Sequence, residues 1–246
     1  MAWRRVDLLL AELDLGADMS RYQDRRHAGR VLAAALREYA GRPDVIVLAL
    51  PRGGVPVAYE VATRLGLPLD VFVVRKLGVP GHEEFAMGAI ASGGVIVLNR
   101  ETIEGLRLPK EALERVIGAE RTELARREQM YRQGRPPLDV TGKICILVDD
   151  GLATGSTMRA AIAALRQRNA RRIVVAVPIA APSTCDELAS EADDVICAAT
   201  PEPFYAVGLW YEDFAPTSDE EVRDLLARSR QPQPMVQTAA DKSNYI

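Results

Sequence analysis

Asp149 and Asp150 stand side by side just ahead of Thr154, Gly155, Ser156 and Thr157. Neighbouring carboxylates accept hydrogen bonds from hydroxyl groups, and small hydroxyl and glycine residues let backbone N–H groups close on an anion. The flanking residues support that use. Ile144–Val148 is an apolar run that reads as a buried strand, and Met158, Ala161, Ile162 and Leu165 recur at helical spacing behind the loop. The acids therefore fall at the C-terminal end of a strand. The hydroxyls fall at a helix N-terminus, where unpaired N–H groups and the helix dipole attract phosphate. A sugar phosphate satisfies both halves. The bland alternative is an ordinary strand-turn-helix with one capping residue, but this stretch carries two acids and three hydroxyls within nine positions.

A second constellation repeats the pattern. Residues 45–50 form a continuous apolar run, the mark of a strand covered on both faces, and lead into Pro51-Arg52-Gly53-Gly54. Pro56 then starts a helix carrying Val57, Ala58, Val61 and Leu65. Paired glycines permit close backbone approach, and Arg52 offers a planar donor fork for phosphate. Residues 69–74 read as the next strand and end in Arg75-Lys76, two cations at the same sheet edge. Residues 77–85 have no periodicity and read as a mobile loop containing His82, Glu83 and Glu84. His82 suits a functional role and an exposed histidine without one equally well. Residues 86–98 then suggest a hairpin turning at Ser92-Gly93-Gly94.

The stretch of four apolar residues, two acids and a Thr-Gly loop resembles the signature of type I phosphoribosyltransferases. The resemblance covers roughly residues 25–214. It implies that Asp149 and Asp150 hold the ribose hydroxyls of 5-phosphoribosyl-1-diphosphate, and that Ala153, Thr154, Gly155, Ser156 and Thr157 wrap its 5-phosphate. Arg52, Gly53 and Gly54 match the family's diphosphate loop, where the peptide entering the basic residue is often cis, here Pro51–Arg52. Arg75 and Lys76 resemble further diphosphate-binding cations, and His82 and Glu84 fall in the loop that closes over the reacting atoms. The implied reaction is displacement of diphosphate from the sugar by a nitrogenous base, with Mg²⁺ bound mainly through the sugar diphosphate and indirectly near Asp149 and Asp150. Arg52, Arg75, Lys76, Asp149 and Asp150 would carry catalysis by electrostatic stabilisation and positioning. The acceptor is open. Ala153 replaces an Asp usual in 6-oxopurine members, and the following strand lacks their Lys, which disfavours hypoxanthine and guanine.

Around these loops, strands alternate with helices throughout, so the fold class is α/β: a Rossmann-like parallel sheet with helices on both faces and a small variable hood. One domain is expected over residues 1–228, with an N-terminal helical segment at 1–40, a core at 43–200 and the hood at 200–216. Val6, Leu9, Leu10 and Leu13 have weak helical spacing; Ala28, Val31, Leu32, Ala35, Leu36 and Tyr39 have it clearly. Arg25, Arg26, Arg30 and Arg37 lie off that stripe and read as a solvated basic face. A long charged helix opens at Pro109 and runs to about Arg132, with Glu111–Arg115 and Glu123–Arg127 as i,i+4 pairs. Its charge run reads as a solvated face, with packing against a second copy as the alternative; a homodimer is the expected assembly. Residues 171–179 and 194–199 give two more strands, with Asn169 before the first and Ser183 capping a helix between them. Phe204, Tyr205, Trp210, Tyr211 and Phe214 either plug the end of the sheet or stack on the acceptor; Phe204, Trp210 and Tyr211 are the acceptor candidates. Residues 229–246, rich in Gln, Pro and Ser, should be a disordered tail.

Composition narrows the function classes. A formal net charge of −3 argues against bulk electrostatic binding to nucleic acid. No apolar run approaches the roughly 20 residues of a membrane helix, and no signal peptide is recognised. Three cysteines without metal-ligand spacing suggest neither a zinc site nor a disulfide framework; Cys145 and Cys197 read as buried fillers, and the compartment as cytoplasm. Three classes follow: a phosphoribosyltransferase of nucleotide metabolism, a non-catalytic sensor of the sugar diphosphate, and a sugar-phosphate kinase or phosphatase. The last lacks a Walker motif and clustered metal ligands.

Overall fold

A computed structural model of the protein describes residues 3–5 and 21–230. The helical spacing expected over residues 6–20 and the tail beyond residue 230 lie outside that range. In chain order the elements are β1 (Arg4–Arg5), α1 (Arg25–Ala35), β2 (Val45–Ala49), α2 (Gly54–Leu65), β3 (Leu69–Val71), β4 (Val74–Val79), β5 (His82–Ala91) and β6 (Val95–Leu98). They continue as α3 (Arg100–Gly105), α4 (Lys110–Arg132), β7 (Ile144–Val148), α5 (Ser156–Gln167), β8 (Arg172–Ile179), α6 (Pro182–Leu188), β9 (Asp194–Ala199) and α7 (Asp219–Arg228). None of these helices is long and apolar enough to cross a membrane.

Among the described residues the main sheet is parallel, in the order β1-β9-β8-β7-β2-β3. Its apolar runs sort by alternation. Val45, Val47, Ala49, Ile144, Ile146 and Val148 face α1, α2, α4 and α7, whereas Ile46, Leu48, Cys145, Leu147, Val175 and Val177 face α5 and α6. Burial on both faces explains why these strands read as unbroken apolar runs. The expected fold class holds.

Three expectations change. The strand expected over residues 69–74 stops at Val71, because Val73 donates to the buried Ser92 hydroxyl (2.9 Å) and Ser92 donates back to Val73 (2.8 Å). That exchange passes the chain into a separate antiparallel sheet, β4-β5-β6. The segment expected as an aperiodic loop, residues 77–85, is mostly the paired β4 and β5. Register shifts on both sides of Gly78 disrupt the alternation that would have revealed the strands. The hairpin turning at Gly93-Gly94 is found as expected. Finally, Cys197 is buried as foreseen but joined to Cys185 of α6 in a disulfide, so only Cys145 remains a free thiol among the described residues.

Smaller differences are local. The helix after Arg52 begins at Gly54, ahead of Pro56. Ser183 lies inside α6, whose first residue is Pro182 and whose cap is Ala181, consistent with the preset φ of proline. Asn169 has the expected left-handed backbone, φ 56°.

The far end of the sheet is tied by one buried acid. Asp70 on β3 accepts from Arg132 Nε and Nη2 (3.1 and 3.0 Å) and lies 3.0 Å from Arg135 Nη1. Side-chain exposures of 10–13% make this a buried ion triad that holds the end of α4 against β3. Asp70→Ala leaves two cations without their carboxylate and should cost about 3–5 kcal/mol in urea unfolding. An unchanged midpoint would contradict the triad's role.

Candidate functional site

β2 and β7 are neighbours in register, with Ala49 opposite Val148, so the loops that leave them start side by side. Leu50 donates to Val148 O (2.9 Å) and keeps them together past the strand ends. The paired glycines now find their reason. A Cβ on Gly54 would lie 2.6 Å from Val148 O and 2.9 Å from Asp149 Cα. On Gly53 it would lie 2.0 Å from Asp150 Oδ2. Only glycine lets the first loop rest against the acid pair. The Pro51–Arg52 peptide in that loop is cis.

Both loops open into helix N-termini without a side-chain cap, Gly53 before α2 and Gly155 before α5. Asp24, Asn99 and Ser218 cap α1, α3 and α7, while α4 and α6 also begin without such a cap. First-turn N–H groups of α5 are thus available to an anion, whereas at α2 Gly54 donates to Leu50 O (3.1 Å), Val55 donates to Arg52 O (3.1 Å) and Pro56 has no N–H, which leaves the Gly53 N–H and the Arg52 side chain at the first loop. Gly155 takes φ 67°, which favours glycine, and sits close against Thr184 of α6. Thr184 donates to Ala153 O (2.5 Å), and Leu152 pairs with the end of β8 through Ile179 O (2.9 Å). Ala153 and Thr154 remain exposed at the loop tip, and Ser156 and Thr157 are half-buried. Thr184 is a supporting residue that no local sequence pattern announces.

The two acids have different surroundings. Asp150 Oδ2 accepts from Arg25 Nε at 2.8 Å, while Asp149 Oδ1 accepts its neighbour's backbone N–H at 2.9 Å. Burial between the strand ends, and then the adjacent Asp150 charge, push the Asp149 carboxyl well above the usual carboxylate range; Arg25 offsets part of this. Arg25 corrects the solvated-face expectation. Its side chain is 11% exposed and points into the site.

The hood divides. Tyr211 is buried, donates to Asp150 O (2.5 Å) and packs on Tyr22 and Phe214, so it plugs the sheet end and is not open for an acceptor to stack on. Phe204 and Trp210 are half-buried beside it, and Tyr205 is exposed. Val207 covers Gly151, where a Cβ would lie 2.5 Å from Val207 Cγ1.

The remaining predicted residues gather less tightly. Arg52 is half exposed, with Nη1 3.9 Å from Asp219 of α7. Arg75 donates to Glu120 of α4 (2.7 Å), so its guanidinium is already engaged, and Lys76 is exposed. His82 is exposed on β5 and meets the Phe85 ring edge-on, in a paired strand and not the unpaired loop expected. The Glu84 side chain lies outside the described residues.

Among the described residues no cluster of three or more His, Cys, Asp or Glu could hold a metal alone. Two adjacent carboxylates beside open helix N-termini do suit Mg²⁺, which binds through few protein oxygens and keeps water and phosphate ligands. Chemically, the site can accept hydroxyl protons at the acids and hold anionic groups at two separate loops.

A family model for the phosphoribosyl transferase domain matches residues 19–206. A Mycobacterium tuberculosis H37Rv protein with a provisional phosphoribosyl transferase name is 47% identical over 211 residues, covering 86% of this chain and 47% of the relative. The crystal structure of TT1426 from Thermus thermophilus superposes with a TM-score of 0.75 at 45% identity, covering 85% of this chain and 98% of that one. A uracil phosphoribosyltransferase of Lactobacillus gasseri is 32% identical over 131 residues, covering 53% of this chain and 61% of the relative. The chain spans about half the length of the curated M. tuberculosis relative it matches.

The raised Asp149 carboxyl gives a testable sign. Its proton is held more tightly in the folded than the unfolded chain, so the ligand-free fold loses stability as pH rises from the ordinary carboxylate range through the raised value. Asp149→Asn removes that loss. In urea unfolding with a metal chelator, the variant should gain on wild type as pH rises above the ordinary carboxylate range. A gap that stays constant, or moves the other way, contradicts the assignment.

Proposed function

The chain belongs to the phosphoribosyltransferase family, and from that premise we propose that it binds 5-phosphoribosyl-1-diphosphate and transfers the phosphoribosyl group to a nitrogenous acceptor. One observation carries the reading. Two glycine-bearing loops meet at a carboxylate pair, the first carrying Arg52 and the second opening into the uncapped N-terminus of α5.

In this reading Asp149 and Asp150 accept from the ribose hydroxyls and fix the sugar's orientation. The N–H groups and hydroxyls of residues 153–157 hold the 5-phosphate. Arg52, with the Gly53 N–H and the close approach that Gly54 permits, holds the diphosphate and stabilises its charge as the bond to C1 breaks and the leaving oxygen takes the electron pair. The acceptor nitrogen forms the new bond to C1. Mg²⁺, when bound, supplies charge neutralisation at the diphosphate oxygens, and Asp149 and Asp150 are the residues near enough in chemistry to hold it, directly or through water.

For the acceptor, a pyrimidine is the first class to test. The L. gasseri relative is named for uracil, and Ala153 and the Lys-free β8 depart from the 6-oxopurine pattern. Residues 1–228 are taken as one domain with residues 200–216 as its hood, working as a cytoplasmic homodimer. A second reading, sensing the sugar diphosphate without transfer, draws on Arg75 being held by Glu120 and so withdrawn from a diphosphate.

Diphosphate release from 5-phosphoribosyl-1-diphosphate with Mg²⁺ across uracil, orotate, adenine and hypoxanthine separates the two. Release with a pyrimidine supports transfer, and tight sugar-diphosphate binding without release for any base supports sensing. Asp150→Asn should weaken sugar-diphosphate binding by about 10–100-fold, the worth of a hydrogen bond to a charged group, while the protein stays folded. Unchanged affinity in calorimetry would remove the central assignment.

A further inference from the structure

Arg25 reaches Asp150 from 125 residues away and is bound to three things at once. Nε donates to Asp150 Oδ2 (2.8 Å), Nη1 donates to Ala215 O (2.7 Å), and the guanidinium lies 3.9 Å over the Phe214 ring. The same hood segment holds Asp150 a second way, since Tyr211 donates to the Asp150 main-chain oxygen at 2.5 Å. On its other side Asp150 Oδ2 is walled by Gly53. Both the backbone and one carboxylate oxygen of Asp150 are thereby held by Tyr211 and Arg25, which belong to neither anion loop.

Docking of α1 does not explain this arrangement. The helix is already seated by Leu32 and Leu36 in the core and by Gly29, where a Cβ would lie 2.5 Å from Val57 O. An ion pair with side-chain exposures of 11% and 15% carries a desolvation cost that packing alone gives no reason to accept. A carboxylate has lone pairs for several donors, so a guanidinium on Oδ2 leaves Oδ1 available to a ligand hydroxyl.

We propose that Arg25 is a positioning residue: by clamping Asp150 Oδ2 to the Phe214–Ala215 segment, it presents the other carboxylate oxygen to the sugar and couples the order of the hood to the grip on the ribose. The inference rests on the proposed function for the identity of the sugar. It differs from it in naming a residue outside both anion loops as the determinant of hydroxyl recognition. The planar guanidinium suits the role, because it can pair with a carboxylate, donate to a carbonyl and stack on a ring together. An ammonium lacks that flat face and fixed fork.

The test compares ribose 5-phosphate with inorganic phosphate by calorimetry, in wild type, Arg25→Gln and Arg25→Lys, with thermal melting followed for each. Inorganic phosphate needs only the loop, whereas ribose 5-phosphate also needs the acids. Wild type should prefer ribose 5-phosphate. Arg25→Gln should reduce that preference by about 10-fold while phosphate affinity stays within about 2-fold, and Arg25→Lys should recover part of it. A preference unchanged in Arg25→Gln overturns this inference alone. Tighter ribose 5-phosphate binding in Arg25→Gln also overturns it, because Arg25 would then compete with the sugar. Parallel loss of both ligands overturns it in favour of a structural role. Wild type showing no preference for ribose 5-phosphate over phosphate removes the proposed function and this inference together.

Discussion

The structure depends on how closely two neighbouring strand ends come together. β2 and β7 run in register, and the glycines after β2 let its loop lie against the carboxylates after β7 without a side chain between them. Any other residue at Gly54 would meet backbone, which cannot move aside as a flexible side chain can. From that contact follows the juxtaposition of the Arg52 loop with the acid pair and with the loop that leads into the uncapped N-terminus of α5. The surrounding sheet, buried on both faces, is the rigid frame that keeps the approach fixed.

Around this contact the acids are kept apart in character by their partners. Asp150 is gripped by Arg25 and Tyr211 and backed by Gly53. Asp149 is half-buried beside it with a backbone N–H as its hydrogen-bond donor, and desolvation pushes its carboxyl up. Environments that separate two neighbouring carboxylates are a recurrent sign of a functional pair. The hood and the α5 loop belong to the same support: Val207 covers Gly151, and Thr184 holds the Ala153 carbonyl. Function here is a property of that packing as much as of the acids.

Much of this was legible from residue types. Unbroken apolar runs announce doubly covered strands, and strand, small-residue loop and helix in sequence announce the two loops that meet at the acid pair. What escaped did so for physical reasons. Periodicity on α1 reports its own apolar stripe and says nothing of a partner 125 residues away, so Arg25 looked like a solvated cation. Register shifts around Gly78 hid β4 and β5 behind an irregular pattern. Cys185 and Cys197 are 12 positions apart, and only the packing of α6 on β9 brings them together. Tyr211 reads as an aromatic in an irregular segment until its hydroxyl is seen on the Asp150 carbonyl.

If the two glycine loops and the acid pair form one site for one ligand, they must respond to that ligand together. Hydrogen exchange of the backbone amides tests this directly, read separately at Arg52 and Gly53 and at residues 155–158, with 5-phosphoribosyl-1-diphosphate and Mg²⁺ added to the wild-type protein. Both loops should slow together, whereas ribose 5-phosphate should slow the second loop only. Protection of a single loop by the full sugar diphosphate, or of neither, would contradict the single shared site.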